Sequence, residues 1–139
     1  MMSETETVAA MTVLYIDDDE ALGVLVRRNL GRLGLTVVNA TDGASGLARL
    51  DEGGIDAVAL DHFLTTETGL DVLHQMTTRP DHPPVVYVTG VGETAVVAEA
   101  LRRGAVNWIT KDISSEFFGR LAEALRDAFR RHRASADHS

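Results

Sequence analysis

Short apolar runs recur along the chain, each closed by a polar residue and followed by a stretch whose apolar positions fall three or four apart. The first run, Val13-Leu14-Tyr15-Ile16, stops against Asp17-Asp18-Asp19-Glu20. Beyond it Leu22, Leu25, Val26, Leu30 and Leu33 share one helical stripe, and Gly34 is placed to end it. Leu35 to Asn39 reads as a second strand, and Gly43 to Leu50 as a short helix that stops at Gly53-Gly54. A third strand, Asp56 to Leu60, gives way at Asp61 to a loop, and Leu70, Leu73 and Met76 mark the helix after it. Pro80, Pro83 and Pro84 block helix and turn the chain into Val85-Val86-Tyr87-Val88, which ends at Thr89. A helix with Val96, Val97, Ala100 and Leu101 closes at Gly104, and a fifth strand spans Ala105 to Ile109. From about Ser114 to His132 the stripe is Phe117, Phe118, Leu121, Leu125, Ala128 and Phe129. Strands alternating with amphipathic helices predict an α/β fold, and the nearly continuous apolar strands predict a parallel sheet covered on both faces. One domain is expected over residues 11–133, with flexible tails at 1–10 and 134–139.

In a parallel sheet the polar residues that follow the strands meet at one edge, where open α/β sheets carry their sites. Here they are an acid cluster, a lone Asp61, the Thr89 hydroxyl and Lys111. Asp17, Asp18 and Asp61 would repel one another without a cation, and a hard divalent ion such as Mg²⁺ prefers such oxygen ligands. Asp61, alone at its strand end, is the natural nucleophile for an acyl phosphate. Lys111 and Thr89 would serve the oxygens of a transferring phosphoryl group, whose chemistry depends mainly on positioning and charge neutralisation. Asp19 and Glu20 are expected to open the first helix instead. The histidines at 62, 74, 82, 132 and 138 show no zinc spacing, and His62 is expected on a loop surface. Arg126, Arg130, Arg131 and Arg133 are read as favourable charge near a helix C-terminus.

Composition narrows the class. At 139 residues, 45% hydrophobic, the chain can bury one core. A net charge of −8 argues against direct nucleic-acid binding. The absence of cysteine excludes disulfides, thiolate zinc sites and a cysteine nucleophile. No apolar run approaches the roughly 20 residues of a membrane span. Met1 to Thr7 is acidic and polar, unlike a signal peptide, so a cytoplasmic location is expected.

Four segments together resemble the receiver domain of two-component response regulators: Val13-Leu14-Tyr15-Ile16-Asp17-Asp18-Asp19, Leu60-Asp61-His62-Phe63-Leu64 with Gly69, Val88-Thr89-Gly90, and Gly104-Ala105-Val106-Asn107-Trp108-Ile109-Thr110-Lys111. The likeness covers about Thr12 to Arg131. It implies a flavodoxin-like (βα)5 doubly wound parallel sheet with strand order 2-1-3-4-5. It also implies that Asp61 accepts phosphate from a histidine kinase or histidine phosphotransfer protein. Asp17 and Asp18 would be the acidic pair that holds Mg²⁺, with Asp61 and the Phe63 backbone carbonyl completing the protein ligands. Thr89 would be the switch hydroxyl, Lys111 the ion-pair partner of the phosphoryl group, and Trp108 the aromatic switch. The fourth helix, fifth strand and fifth helix would form the face for an unknown output protein or domain, or for a second copy of the chain. Such a domain is not an enzyme beyond catalysing its own aspartyl phosphorylation and dephosphorylation.

Three features depart from the family pattern. Asp112 follows Lys111 where a cis-proline is usual; a non-proline cis bond costs roughly 3 kcal/mol, so a trans bond and an altered setting for Lys111 are expected. Leu64-Thr65 replaces the usual Met-Pro, which should loosen that loop. Trp108 is bulkier than the usual Tyr or Phe, which should restrict its movement. Phe63 and Val91 flank the path of attacking water in the family, and their apolar side chains are expected to slow hydrolysis. Two other readings compete: a degenerate receiver acting as a protein-binding scaffold, and a haloacid-dehalogenase-type phosphatase using Asp17 as nucleophile.

Overall fold

The computed structural model describes residues 11–112 and 114–137. The elements are β1 (Met11–Ile16), α1 (Glu20–Arg32), β2 (Leu35–Ala40), α2 (Gly43–Asp51), β3 (Ala57–Asp61), α3 (Gly69–Thr77), β4 (Val85–Thr89), α4 (Thr94–Arg102), β5 (Asn107–Thr110) and α5 (Ser115–Asp137). The N-terminal tail expected at 1–10 lies outside the described residues. At the other end α5 runs to Asp137 rather than stopping near His132, so part of the expected tail is helical. Among the described residues no helix is long and apolar enough to cross a membrane.

All four strand pairings are parallel, in the order β2-β1-β3-β4-β5. The register aligns the carboxyl ends: Ile16 lies opposite Leu60, Asp61 opposite Val88, and Thr89 opposite Thr110. Asp17, Asp61, Thr89 and Lys111 therefore arrive along one edge of the sheet.

Successive strand side chains point to opposite faces, so each central strand feeds two cores. Val13 and Tyr15 of β1 pack with Val26, Leu30, Phe117, Leu121 and Leu125 beneath α1 and α5. Leu14 and Ile16 pack with Leu47, Leu60, Val72, Leu73 and Met76 on the face covered by α2, α3 and α4. This double coverage explains why the strands read as apolar runs. Gly34 ends α1 at φ +90°, a left-handed setting that disfavours a side chain. At the sheet's far edge β5 begins at Asn107, two residues later than expected, and leaves Val106 and Trp108 exposed.

Candidate functional site

The turn after β1 sorts its acids into different tasks. Asp19 caps α1, its side chain accepting from Leu22 N at 3.0 Å, and Glu20 opens the helix. Asp17 folds back beneath the turn: its Oδ1 accepts from Asp19 N at 3.0 Å, and the residue is 2% exposed. Asp18 stays at the surface. Opposite them Asp61 closes β3, 4% exposed. The three carboxylates each offer an oxygen within 4.8 Å of the others, a donor set suited to a hard divalent cation.

Lys111 follows β5 and spans the buried pair, with Nζ 2.8 Å from Asp17 Oδ2 and 3.3 Å from Asp61 Oδ1. The peptide bonds of the described residues are all trans, as expected at Lys111-Asp112, yet Lys111 still reaches both acids. Its backbone is fixed by a 2.8 Å hydrogen bond from Lys111 N to Thr89 O. Asp112, in the proline's place, accepts from Arg120 at 2.8 Å and from the Ser114 hydroxyl at 3.1 Å. Thr89 ends β4, and its hydroxyl is buried and, among the described residues, has no hydrogen-bond partner. A buried, unpaired polar atom is costly and marks a place where a ligand group would be welcome. Between Thr89 and the outward-lying Trp108 is a cavity of about 130 Å³, bordered also by Thr94 and Val97.

Burial and the neighbouring Asp17 charge push Asp61 up from 3.8 to about 6, although Lys111 pulls the other way. Burial alone would lower Lys111, but its hydrogen bond to Asp17 and the charges of Asp61 and Asp17 hold it above its ordinary value. Tyr15 was not singled out from the sequence. Its hydroxyl donates to Asp17 Oδ2 at 2.7 Å, and burial together with the Asp17 charge raises its pKa so far that it remains a neutral donor. The signal was present, because residues two apart in a strand share a face.

The β3–α3 loop corrects two expectations. His62 is not a surface residue: it is 7% exposed, and its Nδ1 lies 2.7 Å from the Tyr87 hydroxyl. Burial lowers its pKa, which favours the neutral ring. Nor is the loop loosened by Leu64-Thr65. Leu64 is buried, Phe63 bridges to Thr68, and Gly69 N donates to His62 O at 2.7 Å. Thr68 and Asp71 form a reciprocal capping box that starts α3. Gly69 has no room for a side chain, since a Cβ there would fall 2.6 Å from the Tyr87 hydroxyl and closer still to the Asp61 carbonyl oxygen. Phe63 and Val91, two residues after Asp61 and Thr89, are 60% and 77% exposed. Arg126 is also engaged, donating to Leu33 O, while Arg130 and Arg131 pair with Asp127.

The fold and this edge define a doubly wound α/β domain with its site at the carboxyl ends of the strands. A model of the response regulator receiver domain matches residues 13–125, and the chain belongs to that family. It is similar to the transcriptional regulatory protein QseB of Haemophilus influenzae, 32% identical over 88% of this chain and 56% of that protein. The phosphate regulon transcriptional regulatory protein PhoB of Rhizobium meliloti is 30% identical over 84% of this chain and 52% of that protein. The chain thus spans about half the length of such relatives. The receiver domain of NtrX from Brucella abortus superposes with a TM-score of 0.77 at 28% identity, covering 85% of this chain and 98% of that one. A CheY-like receiver from Methanospirillum hungatei, 22% identical, shares the fold with a TM-score of 0.80 over 91% of this chain and 99% of that one. The expected order 2-1-3-4-5 is the one observed. The phosphatase reading is not favoured, for Asp17 already accepts from Tyr15, Lys111 and Asp19 N and is poorly placed as a nucleophile. The scaffold reading is not favoured either, since the acids, the hydroxyl and the lysine converge.

Proposed function

We propose that this receiver takes a phosphoryl group onto Asp61 from a phosphohistidine of a sensor kinase or phosphotransfer protein, in a Mg²⁺-dependent reaction at a cytoplasmic site. The observation that carries the reading is the buried Thr89 hydroxyl, unpartnered among the described residues, at the same sheet edge as a three-carboxylate cluster of which Lys111 joins Asp17 and Asp61. A carboxylate oxygen of Asp61 attacks phosphorus; the P–N bond breaks as the P–O bond forms, and the imidazole leaves with the electron pair. With its pKa near 6, Asp61 is mostly ionised at neutral pH and able to attack. Asp17, Asp18, Asp61 and the Phe63 carbonyl would hold Mg²⁺, which when bound neutralises charge on the phosphoryl oxygens. Lys111 then pairs with a phosphoryl oxygen, and the Thr89 hydroxyl donates to another.

Movement of Thr89 toward the phosphoryl group would open the adjoining cavity to the Trp108 ring and change the surface of α4, β5 and α5. That face would meet an output domain, a separate output protein or a second copy of the chain.

Intact mass after incubation with Mg²⁺ and acetyl phosphate tests the reading. A single phosphoryl adduct is expected for wild type and none for Asp61→Asn or without metal. An adduct that persists in Asp61→Asn would sink it.

A further inference from the structure

Asp18 is held differently from the other two acids. Asp17 and Asp61 are buried and share Lys111, whereas Asp18 is exposed and, among the described residues, pairs with no cation. Among the described residues its one side-chain hydrogen bond comes from across the fold: the Thr65 hydroxyl donates to Asp18 Oδ2 at 2.8 Å, over 47 positions of sequence, and Asp18 Oδ1 accepts none. Thr65 stands where the resembled family places a proline, which has no donor to offer.

An exposed aspartate with no partner samples several rotamers, and a metal ligand must give up that freedom when the ion binds. A hydroxyl on one carboxylate oxygen restricts the side chain while leaving the second oxygen available. The same bond joins the β1–α1 turn, which carries Asp17 and Asp18, to the β3–α3 loop, which carries Phe63. Both groups of proposed ligand oxygens are thereby held at a fixed separation before an ion arrives. The loop can act as a strut because it is itself anchored, through Leu64 in the core, His62 on Tyr87 and Gly69 N on His62 O.

We propose that Thr65 is a positioning residue for the divalent cation: its hydroxyl orients the Asp18 carboxylate and ties together the two loops that form the metal site. The inference rests on the reading of Asp17, Asp18 and Asp61 as a Mg²⁺ site. Hydrogen-bond partners of metal ligands commonly account for 10–100-fold in affinity, and an exposed bond such as this one belongs near the lower end. The opposing possibility is that the hydroxyl competes with the ion for Asp18, in which case its removal would tighten binding.

Calorimetric titration of Mg²⁺ into the unphosphorylated, metal-stripped protein decides between them, with wild type, Thr65→Val, Thr65→Ser and Asp18→Asn compared. The expected result is binding weakened on the order of tenfold in Thr65→Val and restored in Thr65→Ser, with equal urea midpoints before metal is added. Wild-type or tighter affinity in Thr65→Val overturns the proposal, as does a Thr65→Ser variant as weak as Thr65→Val. Binding lost in Asp18→Asn but intact in Thr65→Val removes the inference alone. Wild-type binding that is absent, or unaffected by Asp18→Asn, removes the metal reading and the inference with it.

Discussion

Replacing Asp61 with asparagine should make the protein more stable at neutral pH, although it deletes the proposed phosphoacceptor. In the fold, burial first and then the Asp17 charge raise Asp61 from 3.8 to about 6. A carboxyl group whose folded value is raised holds its proton more tightly in the native state. Its contribution to stability is therefore complete below about pH 4 and is lost as pH rises through about 6. At pH 7.5 the ionised Asp61 costs about 3 kcal/mol relative to the unfolded chain, taking each tenfold in proton affinity as about 1.4 kcal/mol. Asparagine keeps the shape and removes the charge. Lys111 is not stranded by the change, because its 2.8 Å contact with Asp17 remains. The gain at pH 7.5 without metal should approach 3 kcal/mol, roughly 10 °C in Tm for a domain of this size. It should shrink toward zero by about pH 4. Urea unfolding of both proteins in chelator at pH 4.5 and 7.5 measures this. Equal midpoints at pH 7.5, or a gap of the same size at both pH values, would refute the claim that the fold holds Asp61 in a setting, mainly its burial, that disfavours its charge.

Three further changes probe the surroundings. Thr89→Val removes a hydroxyl that has no partner, so the unphosphorylated protein should be as stable as wild type or up to about 1 kcal/mol more so by urea unfolding; a larger loss would show that the hydroxyl is bonded in solution. Tyr87→Phe leaves His62 Nδ1 buried without its 2.7 Å partner and should cost about 1–3 kcal/mol in the same assay. Phe63→Asn puts an amide in place of an exposed apolar ring two residues after Asp61, and loss of the phosphoryl adduct, followed by intact mass, should become faster. An unchanged rate would remove Phe63 as a barrier to water.

The strands were legible from local patterning, whereas their order, 2-1-3-4-5, was implied only by the family resemblance. Double coverage made the strands apolar, and the polar residue after each run marked its carboxyl end. The acids, Thr89 and Lys111 were found this way because they sit next to those runs in sequence. His62 was misplaced because its burial depends on Tyr87, 25 residues away on a neighbouring strand, and nothing local signals such a pairing. Thr65 was expected only to loosen its loop for the same reason, its partner being 47 residues distant. The length of α5 was underestimated because residues beyond Phe129 carry no apolar stripe. Their support is local: Arg131 pairs with Asp127, and the Arg133 guanidinium lies 5.6 Å from the Phe129 ring.

The two missing prolines bear on how this receiver is held in its resting state. Proline restrains a loop through the unfolded chain, by removing conformations that folding would otherwise have to freeze, and that restraint is indifferent to salt or ligand. Here both restraints are replaced by contacts of the folded state: Asp112 with Arg120 and Ser114 after Lys111, and Thr65 with Asp18 after Asp61. Such contacts are exposed, and those between charges are screened by salt. They also involve the site directly, since one ends on a carboxylate of the acidic cluster and the other sits beside the lysine that spans it. A covalent restraint would fix these loops whatever the site contained. Hydrogen bonds and ion pairs instead depend on the charge of the groups they join, among them the Asp18 carboxylate of the acidic cluster.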